Sequence, residues 1–591
     1  MSSLEYLVNE WLRLDQNETT SHEIQTMWRA GNKTELEQRM RKRIEFGTAG
    51  LRGKMAAGWS CMNDLIIIQT SQGLCQYVLN SVQNAASRGI VIGHDHRYNS
   101  ERWAELTAAV FINSGLKVYL HRGLVHTPMV PFSVRSLNAA CGVMITASHN
   151  PKDDNGYKVY WENAVQIISP HDEGISASVK CNLEPQTWLM EQLYSSPLCL
   201  DRTEEMKDVY FSKLSALNLS RQLNSETQLT FVNTSLHGLF HRDPFVSRAF
   251  KSFGFAPYIP VLEQQQPDPD FPTVAFPNPE EQDPAQDLAL KTANAHGADY
   301  VLSQDPDGDR FCAAEKDDKG WLVFTGDQLG TLFAAQALQL HKESGKSIDT
   351  LAMVASTVSS KMIEAMAEKE GFRFVECLTG FKFIGNTALS LEKDGFHVPF
   401  GYEEAIGYMF GSEIRDKDGV AATVSFAELA THLRKQGKTV HSHLDELYHR
   451  YGYFQTRNSY FICKSPETID RIFARLRNYD SAVNPTYPHQ IANMDITNVI
   501  DLTTGYDSSN PPTYKPALPL SSGHMIQFRA AKQDGTKMVL TMRTSGTEPK
   551  IKYYIEGSGK DPIAVQHALI EVVEELGVNW MEAEKHHLGR P

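Results

Sequence analysis

The chain has 591 residues, 41% of them hydrophobic and 10% aromatic, and a formal net charge of −14. Such a length exceeds one ordinary core and implies roughly three to five domains, and the hydrophobic share excludes a disordered chain. The acidic excess excludes a general nucleic-acid binder, which needs a basic face to release counterions, and confines anion binding to a locally basic cleft.

The opening MSSLEYLVNEWLRLDQ lacks the basic start and apolar centre of a secretory signal, and no run of about 18 apolar residues offers a membrane span. Eight scattered cysteines without a C-x-x-C pair predict reduced thiols and a cytosolic location. To about Arg43 the pattern is amphipathic, charged helix. RGIVIGHD then reads as a buried strand, ERWAELTAAVFINSG as a helix stopped at Gly115, and LKVYLH and CGVMIT as further strands. The unit returns twice. LTFVNTSLHG and ADYVLSQ are strands flanking the helix end FKSFGF and an irregular Pro-rich run, PDPDFPTVAFPNPEEQDP. LAMVAST, SSKMIEAMAEKEG and FRFVEC repeat strand, helix and strand, with Gly371 as the helix stop. Strands alternating with helices imply mostly parallel sheets. After about Tyr451 the texture changes to the strands MIQFRAA and KMVLTMR, the helix RIFARLRN, a Pro-rich connector and a closing helix, AVQHALIEVVEELG, a smaller α+β segment.

Six stretches carry chemistry. In DPDGDR, Asp305, Asp307 and Asp309 follow a strand at every second position, a spacing that suits one hard cation with oxygen ligands. A solvated acidic turn is the alternative. An EF-hand is excluded, because Gly308 is fourth and Lys316 twelfth. Arg310 beside a cation would suit a bridging phosphate. In RTSGTEPK, Arg543 can fork onto a phosphate, Ser545 and Thr547 offer hydroxyls, and Gly546 admits close approach, or the stretch is a polar turn without P-loop spacing. GYEEAIGYMFG presents Glu403 and Glu404 in a glycine-bounded loop suited to sugar hydroxyls, or simply a solvated turn. FGTAGLRG places Arg52 in a Gly-rich loop, and LTGFKFIGN carries Thr379, Gly380 and Lys382. In TASHNPKDDNGYK, Asn150-Pro151 and Asn155-Gly156 predict a bend around Ser148, which is no hydrolase elbow because G-x-S-x-G is absent. A cation loop, an anion cradle and a serine together are the equipment of phosphoryl transfer.

Five of these stretches, in the family's order along the chain, resemble the α-D-phosphohexomutase superfamily over nearly the whole chain, closest to its phosphoglucomutase type 2/phosphopentomutase group. TASHNP resembles the phosphoserine loop, DPDGDR the magnesium loop, LTGFKFIGN and GYEEAIG the sugar loops, and RTSGTEPK the phosphate loop. The resemblance implies an α/β protein of four domains around a central cleft: three related α/β domains with mixed sheets and a smaller C-terminal α+β domain. The expected bounds are 1–210, 211–324, 325–450 and 451–591. It also implies Ser148 as the phosphorylated residue. One Mg²⁺ would be held by Asp305, Asp307, Asp309 and the phosphoserine oxygen. Arg52, His149 and Lys158 would line the catalytic position, with Lys158 favoured for proton transfer. Arg310, Thr379, Gly380, Lys382, Glu403, Glu404 and Lys417 would contact substrate. Arg543, Ser545, Gly546 and Thr547 would hold the phosphate that is not being transferred.

One departure stands out: Ala405 replaces the serine that many hexose mutases carry two residues after the glutamate, which is compatible with a pentose phosphate. The implied activity moves a phosphoryl group between C1 and C5 or C6 of pentose or hexose phosphates, with a sugar 1,5- or 1,6-bisphosphate as intermediate and activator. Its partners are then small sugar phosphates, with no nucleic acid, membrane or obligate protein partner. The alternatives are a glucose 1,6-bisphosphate synthase fed by 1,3-bisphosphoglycerate, a metal-dependent phosphatase, and a calcium-binding or scaffold protein using DPDGDR and DKDG (416–419) as ion loops.

Overall fold

Strands such as Ile90–His94, Cys141–Ile145 and Tyr300–Gln304 are buried at every position, as expected where a sheet is covered on both faces. The structure, a computed structural model, describes residues 3–47, 50–238, 245–280, 286–479, 486–545 and 549–590. The chain divides into two compact units. The first comprises Met1–Lys346, Thr350–Val354 and Gly380–Val440, and the second Ser347–Asp349, Ala355–Thr379 and His441–Pro591.

The first unit opens with three helices, Leu4–Leu14, Glu18–Arg29 and Lys33–Met40, each with a side-chain cap at its start from Ser3, Asn17 or Asn32. A six-stranded mixed sheet follows, built from β1 (Gly50–Lys54), β2 (Ile90–His94), β3 (Val118–Leu120), β4 (Cys141–Ile145), β5 (Asp154–Tyr160) and β6 (Cys199–Leu200), in the order β1-β5-β4-β2-β3-β6. The β4-β2-β3-β6 part is parallel, while β5 runs antiparallel between β4 and β1. A five-stranded mixed sheet contains β7 (Phe231–Thr234), β8 (Ile259–Pro260), β9 (Tyr300–Gln304), β10 (Phe311–Asp317) and β11 (Gly320–Val323), in the order β11-β10-β9-β7-β8. The third α/β segment supplies β12 (Leu351–Ser356), β13 (Arg373–Cys377), β14 (His397–Glu403) and β15 (Gly407–Phe410). The boundary between the units passes through β12, and β13 lies in the second unit.

Most of the second unit is an antiparallel sheet backed by the helices Pro466–Leu476 and Pro562–Glu575. Its core gathers Ile472, Phe473, Phe528, Leu540, Ile555, Val572 and Trp580. The α/β segments and the C-terminal α+β segment therefore have the expected class.

Three local expectations change. FGTAGLRG is not only a loop: Gly50–Lys54 forms β1 and pairs with β5, while Thr48 and Ala49 lie outside the described residues. GYEEAIGYMFG is a hairpin in which Glu403, at the end of β14, faces Gly407. Asn155-Gly156 is no bend but the interior of β5. The Asn155 amide donates to Tyr98 O (3.0 Å) and Ser100 Oγ (2.9 Å). A Cβ on Gly156 would meet Thr146 O at 2.5 Å, so close backbone approach, not turn formation, requires the glycine.

Candidate active site

Ser148 follows β4 and sits with φ of 55°, the left-handed region that a non-glycine residue occupies at a cost of roughly 1–3 kcal/mol. Its hydroxyl donates to Asp305 Oδ2 at 2.7 Å and lies 3.2 Å from His149 Nδ1. The Ser148 amide donates to Thr146 Oγ1 (2.9 Å). Beneath the loop lies Arg97, whose side chain is fully buried. Its Nη2 donates to Ser148 O and Asn150 O, both at 2.6 Å, and its Nη1 donates to Pro151 O (2.9 Å) and Asp154 O (3.2 Å). One guanidinium thus collects four carbonyls of the serine loop. Asp95 Oδ2 lies 3.4 Å from Arg97 Nε and pairs its charge without a hydrogen bond. Sequence reading passed over Arg97, although an acid-x-Arg directly after a buried strand was the available signal.

Asp305, Asp307 and Asp309 are each fully buried, and one ligand oxygen from each lies within 4.8 Å of the others. The turn after β9 builds this cluster: Gly308 N donates to Asp305 O (2.9 Å), and the amides of Asp309 and Arg310 donate to Asp305 Oδ1 (3.2 and 3.0 Å). Asp307 Oδ2 accepts from Thr127 Oγ1 (2.6 Å) and Lys158 Nζ (2.7 Å). Lys158 Nζ also reaches Asp309 Oδ2 (3.2 Å), which Lys417 Nζ approaches at 2.7 Å.

Burial, then the neighbouring Asp307 and Asp309, pushes the Asp305 carboxyl well above its ordinary range. Burial also disfavours ionised Asp307, but Lys158 and the hydrogen bonds from Lys158 and Thr127 outweigh it and hold that carboxyl well below the usual range. Burial pulls His149 well below the ordinary imidazole value, helped by Arg310 and Arg52, so its ring is neutral near pH 7. The fit to a cation rests on the donor set itself. Asp307 Oδ1 and Asp309 Oδ1 are buried without a hydrogen-bond partner among the described residues, and a hard divalent cation would satisfy both oxygens and relieve the mutual repulsion.

Arg310, Arg52 and Lys417 stand around this cluster in the first unit, whereas no contact among the described residues brings Gly380, Lys382 or Glu404 to it. Arg310 Nε lies 4.0 Å from both Asp305 Oδ2 and Asp309 Oδ1. Exposed Arg52, on β1 opposite Gly156, donates to Asn150 Oδ1 (3.3 Å). Glu403 is close enough for its charge to act on Arg310, and Glu404 is buried. Lys417 belongs to DKDG, where Asp416 pairs with Lys417 (3.5 Å) and Asp418 caps the helix Gly419–Lys435; among the described residues the group suited to a metal ion is Asp305, Asp307 and Asp309. Lys382 stands in the first turn of Phe381–Lys393, after Gly380 at its N-cap. Its ammonium lies over the Phe383 ring, and burial lowers its pKa to about 8.

In the second unit, the buried Thr379 Oγ1 has no hydrogen-bond partner among the described residues. Arg543 Nη2 donates to Tyr554 OH (3.1 Å), and Ser545 N donates to Lys550 O (3.0 Å). Gly546 and Thr547 lie outside the described residues.

Three family descriptions match the chain: phosphoglucomutase/phosphomannomutase alpha/beta/alpha domain I over residues 43–185, domain II over 208–320 and domain III over 325–451. A Homo sapiens protein named Phosphopentomutase is 45% identical over 596 residues, covering 98% of this chain and 96% of its own. A Saccharomyces cerevisiae Phosphoribomutase is 41% identical over 592 residues (95% and 93%), and a Homo sapiens Glucose 1,6-bisphosphate synthase is 43% identical over 602 (99% and 95%). In fold, a Burkholderia thailandensis phosphoglucomutase/phosphomannomutase family protein superposes with a TM-score of 0.64 at 15% identity, covering 91% of this chain and 98% of its own. No helix among the described residues is long and apolar enough to cross a membrane. With three domain descriptions matched in order and near-full-length relatives above 40% identity, the chain belongs to the phosphoglucomutase/phosphomannomutase family of the α-D-phosphohexomutase superfamily, in its phosphopentomutase group.

Proposed function

We propose that this protein is a phosphosugar mutase that interconverts ribose 1-phosphate and ribose 5-phosphate, with deoxyribose and glucose phosphates as further substrates, through a phosphorylated Ser148. The observation that carries the reading is the Ser148 hydroxyl, held 2.7 Å from a buried three-carboxylate cluster. In the priming step, Ser148 Oγ bonds to phosphorus as the bond from phosphorus to a sugar bisphosphate oxygen breaks. The serine proton passes to a nearby base and the sugar oxygen gains one. Phosphoserine then donates to the free hydroxyl of the incoming monophosphate, giving the bisphosphate that turns around and returns its other phosphoryl group.

Mg²⁺, held by Asp305, Asp307 and Asp309 with the phosphoserine oxygen, would neutralise charge on the transferring group. Lys158 is the proposed proton carrier, with Arg52 and His149 beside it. Arg310 is proposed to contact the moving phosphate, Glu403 and Glu404 the sugar hydroxyls, and Thr379, Gly380, Lys382 and Lys417 the substrate. The roles of Arg543, Ser545, Gly546 and Thr547 in holding the spare phosphate, the four domain bounds and the cytosolic location are part of the same proposal. Ala405 and the relatives named for pentose and ribose phosphates favour a pentose.

The test is intact mass after incubation with glucose 1,6-bisphosphate, followed by parallel assays on ribose 1-phosphate and glucose 1-phosphate. One added phosphoryl group on Ser148 and faster turnover of the pentose are expected. An unmodified serine without turnover of either sugar would sink the reading. The synthase relative favours a second reading, in which 1,3-bisphosphoglycerate primes the serine and sugar bisphosphate accumulates as product. Measuring bisphosphate formation against ribose 5-phosphate formation separates the two.

A further inference from the structure

The Pro-rich run in the second α/β segment has no place in the chemistry above, yet it packs on the serine loop at three points within the first unit. Asp270 accepts from Lys152 Nζ (3.0 Å), within the loop, and from Tyr98 OH (2.9 Å), next to Arg97 in the chain. The Phe271 ring lies 4.9 Å from Arg97 Cζ, against the guanidinium whose donors collect the loop carbonyls. Phe276 meets the His149 ring edge-on at 5.6 Å. Phe271 is almost fully buried and has φ of 47°, unusual for an aromatic residue.

These contacts are arranged around one task. Arg97 can hold Ser148 in its left-handed conformation only while its own plane is fixed. Asp95 offers Nε only a charge pairing at 3.4 Å without a hydrogen bond, so the aromatic face over the cation supplies a constraint on the plane that Asp95 does not. We infer that Phe271, supported by Asp270 and Phe276, is a positioning residue for the serine loop, acting through Arg97. The effect on turnover rests on the mutase reading, whereas the effect on loop order does not.

The experiment compares Phe271→Leu, Phe271→Tyr and Asp270→Ala with the unmodified full chain. It reads kcat, KM, Tm and amide hydrogen exchange over residues 147–154. Phe271→Leu keeps apolar bulk but loses the ring, so kcat should fall about tenfold or more as the hydroxyl drifts, with KM within about twofold. Loop amides should exchange faster while Tm changes little. Phe271→Tyr restores most of kcat. Asp270→Ala, at an exposed position, shifts loop exchange in the same direction by less, and keeps the test open if the leucine variant does not fold. Loop exchange and kcat at the unmodified level in Phe271→Leu would overturn the inference. So would exchange that rises evenly across the first unit with a matching loss of Tm. If the unmodified protein shows no mutase turnover, the proposed function fails while loop exchange still decides the role of Phe271.

Discussion

The two halves of the candidate site are built on opposite principles. The carboxylate loop, Asp305–Arg310, makes its own turn: its backbone amides donate to its own Asp305, and all three acidic side chains come from five consecutive residues, although Thr127, Lys158 and Lys417 grip those side chains from outside. The serine loop holds little together by itself. Ser148 is strained, and the loop carbonyls are gathered by Arg97, some fifty residues earlier, with Phe271 beyond it. A cation site needs converging oxygens, which one tight turn can supply. A nucleophile that must face a metal on one side and a sugar on the other needs a conformation that no local sequence prefers, so distant parts of the fold impose it.

The largest expected effect removes the chemistry and leaves both loops standing. Ser148→Ala should lower mutase turnover by at least about 10⁴-fold, as loss of a covalent nucleophile does, with Tm close to the unmodified value. Residual turnover near normal, with bisphosphate supplied, would take Ser148 out of the mechanism.

Next comes the carboxylate loop. Asp307→Asn removes the carboxylate that Lys158 and Thr127 hold, and turnover should drop about 10²- to 10³-fold, the scale of losing metal-ion charge stabilisation. A readout independent of activity is sharper. Mg²⁺ should raise the Tm of the unmodified protein by binding the folded state, and Asp307→Asn should abolish that shift. Chelation of the unmodified protein should remove turnover and the shift together.

Arg97→Lys attacks the other principle. A single ammonium cannot serve four carbonyls and Asp95, so the variant should lose about 3 kcal/mol of stability in urea unfolding and about tenfold or more in kcat. The Mg²⁺-induced rise in Tm should survive, because the lysine keeps the positive charge and Arg97 donates to carbonyls, not to the carboxylates of the cluster. Loss of that rise would show that the two loops are one structure.

How much of this was legible in the sequence follows the same division. DPDGDR and the alternating strands could be read because their signals are contiguous or periodic. Strand β1 reads as loop because GLRGK carries two glycines and a single large apolar residue, and its pairing with β5 lies about a hundred residues away. Asn155-Gly156 was read as a turn because that dipeptide usually is one, and here tertiary structure overrides it: Asn155 anchors Ser100, and Gly156 lets Thr146 O approach. Arg97 and Phe271 had no motif to announce them, since their value lies in what they touch.

The smallest effect tests whether the carboxylate loop is as independent as it looks. Its backbone is also tied to distant elements: Thr127 N donates to Asp307 O (2.9 Å), and Gly419 N donates to Gly308 O (3.1 Å) at the start of the helix that Asp418 caps. A Cβ on Gly419 would meet Arg310 O at 2.3 Å, so this helix end is pressed against the loop. Burial raises the Asp418 carboxyl to about 6, against an ordinary value of about 3.9. Between those values the folded chain binds more protons than the unfolded one, so stability falls as pH rises through the window and stays reduced above it. An asparagine side chain at this position would still cap Val420 and Ala421 and could hydrogen-bond Tyr210, without an ionisable group. Asp418→Asn should therefore gain stability relative to the unmodified protein as pH rises from about 4 to 6, with the Mg²⁺ shift in Tm unchanged. A constant difference across that range would show that Asp418 carries no buried-charge penalty, and a lost Mg²⁺ shift would show that the carboxylate loop, too, is held from a distance.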